Sequence, residues 1–170
     1  MRILLTLGLI LLTSLAVLSQ SSVQSFFDKY QDNDSFTQIN ISSKMFQAIS
    51  NLDMEGEKDD ELVEMIHSLK GLKILTTDEN PQKYYDEFNA TFDKSVYEEL
   101  MSIRENDSDI TFLVKDSDGG NIVNELLLLV GGKDDFVLMS FEGNIALDKI
   151  GKLANGLNIS GAEHLDKLKN

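Results

Sequence analysis

Apolar residues along this chain recur at two different spacings, and the change from one to the other divides it into elements. In SFFDKY, residues 25–30, Phe26, Phe27 and Tyr30 fall on one side of a short amphipathic helix. FTQINI, residues 36–41, alternates instead: Thr37, Ile39 and Ile41 share one face and Phe36, Gln38 and Asn40 the other, which predicts a half-buried strand. Ser42 suits the N-cap of a following helix with the stripe Met45, Phe46, Ile49 and Leu52. Asp59, Asp60 and Glu61 open another helix, where carboxylates suit the positive end of the dipole. Its stripe is Leu62, Met65, Ile66 and Leu69, and Gly71 is placed as its stop. LKILTT, residues 72–77, reads as a second strand. Pro81 then starts a long helix along which Tyr84, Tyr85, Phe88, Phe92, Val96, Leu100 and Ile103 recur, with room for a break near Asp93–Ser95. A stripe this regular is core far more often than a cofactor box.

From residue 108 the period shortens. DITFLVKD, IVNELLLLV and FVLMSFEG are separated by DSDGGN and GGKDD, the composition of two tight turns. They predict a three-strand antiparallel meander over residues 108–144. Leu126–Val130 is five apolar residues, far short of the roughly 20 that span a bilayer. A central strand covered on both faces gives such a run. Gly131 and Gly132 are expected to supply positive φ in the second turn. Residues 146–157 carry Leu147, Ile150, Leu153 and Ala154 at helical spacing, and Ser160 with Glu163 fits the capping box of a last short helix. The expected fold is α+β. It has a single mixed sheet of about five strands, right-handed strand–helix–strand crossovers, and helices mainly on one face.

The first residues follow a different logic. MRILLTLGLILLTSLAVLSQ has Arg2, an apolar core from Ile3 to about Leu12, then Thr13, Ser14, Ala16 and Ser19. That is the layout of a secretory signal peptide over residues 1–19, with Val17 and Ser19 at the peptidase positions and Gln20 as the first mature residue. An uncleaved membrane helix is the alternative, but no stop-transfer pattern follows. The mature chain, residues 20–170, is then one globular domain without a transmembrane helix, periplasmic or secreted. The formal charge is −14, which argues against nucleic acid and against adhesion to anionic lipid. There is no Cys, hence no disulfide, thiolate nucleophile or lipid acceptor at the new N-terminus.

Candidate chemistry is sparse. GGKDD lacks the spacing of a phosphate-cradling loop, and Asp134 and Asp135 would repel a phosphate. Asp116, Asp118 and Asn121 resemble part of a calcium loop, but Gly120 stands where a ligand is needed and Asn121 where the glycine belongs. His67 and His164 are the only two histidines, so a zinc site would need distant carboxylates. No G-x-S-x-G elbow marks a serine nucleophile. Glu125 is the titratable group to watch. It sits in an apolar strand with Val123, Leu127 and Leu129 expected on its face, where desolvation could fit it for proton transfer. The competing reading places it near the strand end, in reach of solvent, or paired with a Lys such as Lys115 on the neighbouring strand. Five N-x-S/T sequons, at Asn33, Asn40, Asn89, Asn106 and Asn158, would carry glycans only in a eukaryotic secretory pathway, and the places of Asn40 in an expected strand and Asn89 in an expected helix suggest chance composition. No catalytic, cofactor-binding or metal residue is assigned, and no cofactor is expected.

YEELMSIRENDSDITFLVKD, NELLLLVGG and DFVLMSFEGNIALDKIGKLA, with FTQINISSKMF and GLKILTTDE before them, resemble the domain-of-unknown-function family 4252 over about residues 25–158. The resemblance implies an exported bacterial protein, mainly of Bacteroidetes, with no catalytic signature. Some members look like lipoproteins with an acylated Cys, which this chain lacks. The reading that follows is a non-enzymatic binding or regulatory module of the cell envelope, meeting a protein partner through a sheet face or an uncovered edge strand. The alternative is a periplasmic carboxylate-dependent hydrolase or small-ligand-binding protein.

Overall fold

A computed structural model describes residues 21–51, 60–105, 107–116 and 120–150. The expected leader, the helix expected from 151 to 157 and the last short helix all lie outside the described residues, as does Asp118. So do the side chains of Ile49, Leu52, Leu62 and Asp116.

Helix α1 spans Ser22–Tyr30, and the Ser21 hydroxyl accepts from the Gln24 amide at 3.1 Å. It leads to strand β1, Thr37–Ser42, then α2, Ser43–Asn51, and α3, Asp60–Ser68. Strand β2, Leu69–Thr77, and helix α4, Pro81–Thr91, follow. The chain continues through β3, Glu98–Glu105; β4, Ser108–Asp116; β5, Ile122–Gly132; and β6, Phe136–Ala146.

All six strands form one sheet in the order β1-β2-β6-β5-β4-β3, with every neighbouring pair antiparallel. The α+β class and the meander are therefore present, but the sheet is antiparallel where a mixed one was expected. The meander has four strands, because β3 precedes the three anticipated. The strand–α2–α3–strand unit closes on an adjacent antiparallel neighbour, so it is no right-handed parallel crossover. Gly71 lies inside β2 and does not end a helix; α3 passes into the strand at Leu69.

Helices cover both faces, against the expectation of one. Phe26 and Phe27 of α1 and Tyr84 and Phe88 of α4 pack on Leu75, Leu127, Leu129, Phe136 and Leu138. Phe46 of α2 and Met65 and Ile66 of α3 pack on the opposite face with Leu72, Leu126, Leu128, Met139 and Phe141. This explains the apolar run in β5: successive residues point to opposite faces, and Leu126 to Leu129 are all buried. The first core is rich in rings. Phe26 meets Phe88 edge-on at 5.2 Å and Phe36 meets Tyr84 at 4.6 Å, contacts worth about 0.5–1.5 kcal/mol each beyond their burial.

Gly131 and Gly132 are also not turn residues. Both belong to β5, and among the described glycines only Gly143 has positive φ. What Gly131 provides is room. The Tyr85 ring of α4 lies on it so closely that a Cβ there would stand 1.9 Å from the ring edge.

Candidate functional site

β5 and β6 slip register between Val123 and Glu125. Val123 consequently joins the core under α2 and α3, while Glu125 faces the α1–α4 side with Leu127 and Leu129. The expected run of apolar neighbours on its face thus loses Val123. Lys115 stands opposite Glu125 in the β4–β5 register, as anticipated. The carboxylate nevertheless bonds elsewhere. Tyr97, in the loop before β3, donates to Oε2 at 2.7 Å, and Ser140 of β6 donates to Oε1 at 2.7 Å.

The polar band continues across the sheet. Glu142 lies opposite Glu125 on β6, and Lys73 of β2 donates to it at 3.1 Å. Lys73 also donates to the side chain of Gln24 on α1. Ser140 is buried, Glu125 and Tyr97 are half-buried and Glu142 is more open, so the band runs from the interior to solvent. Burial pushes the Tyr97 phenol well above its usual range, reinforced by its hydrogen bond to Glu125 and by the charges of Glu125 and Glu142. Tyr97 is therefore a neutral donor at any physiological pH. The arrangement orders one carboxylate between two hydroxyls and ties β3's lead-in to the sheet centre.

Around it the surface is grooved. Between α4 and the β3–β4 end of the sheet runs a groove of about 310 Å³, lined by Tyr85, Asn89, Lys94, Tyr97, Glu99 and Thr111 among others. Beyond it Arg104 and Asp109 pair across β3 and β4, with Nη2 to Oδ2 at 2.9 Å. Lys133 lines a separate shallow recess with Lys83 and Asp107 at the start of α4. Among the described residues no three His, Cys, Asp or Glu side chains gather to hold a metal ion. His67 is exposed on α3, and His164 lies outside the described residues.

The two edges of the sheet differ in character. β3 carries Glu98, Glu99, Arg104 and Glu105 and is kinked by a register shift between Glu99 and Met101. Charges and bulges are how edge strands are kept from pairing. β1, TQINIS, has neither a charge nor a register shift against β2. It is exposed along nearly its whole length, and Ile39 is 42% exposed. α2 follows it directly and leaves Met45 53% exposed. From Phe36 to Asn51 the only charged residue is Lys44, in a chain where 26% are charged.

The family model for a domain of unknown function, DUF4252, matches residues 30–153. The chain belongs to the DUF4252 family. In this DUF4252 chain the matched span runs from the last residue of α1 through β6 and contains Glu125, Tyr97, Ser140 and the whole β1–α2 surface. No curated protein and no solved structure matches it.

Sequence reasoning singled out Glu125 and missed Tyr97 and Ser140. Ser140 leaves a trace, as the one hydroxyl inside FVLMSF; Tyr97 leaves none, because the helical spacing from Tyr84 to Ile103 runs across it. The β1–α2 surface could have been found from its missing charge alone. No helix among the described residues is long and apolar enough to cross a membrane.

Proposed function

We propose that this DUF4252 protein is an exported, non-enzymatic module of the bacterial cell envelope that binds a protein partner through β1 and α2. One observation carries the reading. An uncharged, unbulged edge strand with Ile39 and Met45 exposed beside it stands at the margin of a chain with net charge −14. Unpaired strand edges of this kind take up another strand by main-chain hydrogen bonding. The state of Glu125 supports the same reading, since both its oxygens accept from protein hydroxyls. Export rests on the three-part pattern of the first 19 residues, and N-terminal sequencing of the envelope-fraction protein is expected to begin at Gln20.

The test is a photo-crosslinking amino acid at Gln38, an exposed side chain of β1, in the mature protein exposed to envelope extract. A discrete adduct that Ile39→Lys abolishes is expected. Adduct formation at Gln38 no greater than at Glu98 on the opposite edge overturns the proposal.

A further inference from the structure

The occupant of the β1 edge is set by charge. A basic partner would be steered to the acidic surfaces of this chain, and not to the stretch that carries only Lys44. A partner that is itself strongly acidic can approach closely only where carboxylates are missing. This chain, with a net charge of −14, is itself such a partner. We infer that a second copy of the chain pairs with β1, strand to strand, about a two-fold axis through Ile39; this rests on reading β1 as the contact surface.

The pairing is self-consistent along the strand. A two-fold axis normal to the sheet makes the two β1 strands antiparallel and keeps their faces in common. With Ile39 opposite its own copy, Ile41 meets Thr37 and Gln38 meets Asn40. Ile39 and Ile41 lie on the face covered by α2 and α3, where Ile41 already packs against the core. The pair therefore covers the exposed Ile39 with its twin and places Gln38 and Asn40 amides beside each other on the other face. The two six-stranded sheets become one continuous antiparallel sheet ending in the charged, bulged β3 at each side. A strand pair of this length buries little against the roughly 1,200–2,000 Å² of a standard interface, so the dimer dissociates on dilution.

The chain has no cysteine, which makes the register directly testable. Residues opposite one another in an antiparallel pair have Cα atoms about 4.5–5.5 Å apart, within the span a disulfide bridges. Ile39→Cys in the mature protein, treated with diamide while concentrated, is expected to yield a covalent dimer. Val96→Cys, equally exposed in the turn before β3, is expected to yield none. In light-scattering chromatography over a dilution series, Ile39→Lys is expected to move the dimer midpoint at least about tenfold higher in concentration. Circular dichroism must show the variant folded, and Thr37→Lys, at an already exposed β1 position opposite Ile41 in the pair, serves as a second variant with the same shift expected. A protein monomeric at every concentration, or equal crosslinking through Cys at 39 and at 96, overturns the inference. If it is monomeric yet the Gln38 probe captures a different protein, the proposed function stands and the self-pairing falls. If the probe captures nothing, both fall.

Discussion

Removing the Tyr97 hydroxyl is the sharpest chemical test of the polar band. The half-buried phenol donates to a half-buried carboxylate at 2.7 Å, and a hydrogen bond to a charged group contributes about 1.5–3 kcal/mol. Glu125 keeps Ser140 as a donor, so the lower half of that range is expected for Tyr97→Phe at pH 7, measured by urea denaturation. The pH dependence adds a second readout. The folded-state pKa of Tyr97 is raised above the ordinary value of 10.0, so its contribution is complete below pH 10 and is lost as pH rises above it. Each pH unit in that window costs up to about 1.4 kcal/mol for one locked phenol. Tyr30 and Tyr85 are raised too, each first through burial, so the wild-type alkaline limb is steep. Tyr97→Phe should reduce its slope by about one proton, and ultraviolet titration should show one fewer late-ionising phenol. A variant with unchanged stability at pH 7 and an unchanged alkaline slope would refute the reasoning.

Two further outcomes follow from the packing. Gly131→Ala is expected to cost about 1–3 kcal/mol by driving the Tyr85 ring off β5, whereas Gly120→Ala, with open space around it, should be near neutral in the same urea melts. At Glu87, burial pushes the carboxyl upward, but hydrogen bonds from Lys29 at 2.7 Å and from Tyr30 outweigh it and hold the pKa below the ordinary 4.5. Its stabilisation is therefore present above pH 4.5 and lost as pH falls through the folded value, and Glu87→Gln should flatten the acid limb of a stability–pH profile.

The parts of the fold legible in the sequence were those where one face or both faces of an element are buried throughout. The apolar run Leu126–Leu129 announced a central strand, and Phe26, Phe27 and Tyr30 announced α1. The edges were harder. In sequence β3 looks like the end of a long helix, because Val96, Leu100 and Ile103 continue the spacing of Tyr84, Phe88 and Phe92. The helix in fact ends at Thr91, Asp93 accepts from the Ser95 amide at 3.0 Å, and a bulge sets Leu100 beside Met101 so that no alternation shows. β1 did alternate, yet it lies at the sheet margin and is mostly exposed, which no local pattern reveals. Gly131 looks like a turn residue in sequence because glycine pairs usually make turns; that a ring from α4 rests on it depends on tertiary packing. Glu125 stood out as a polar residue in an apolar strand, but its partners come from positions 28 residues before and 15 after it.

The most direct test of the β1 edge is amide hydrogen exchange of residues Thr37–Ser42, followed in dilute protein, in concentrated protein and after addition of envelope extract. Outward-facing β1 amides are expected to slow on concentration or on meeting the extract, while those of β3 do not change. Equally fast exchange along β1 under all these conditions would contradict it.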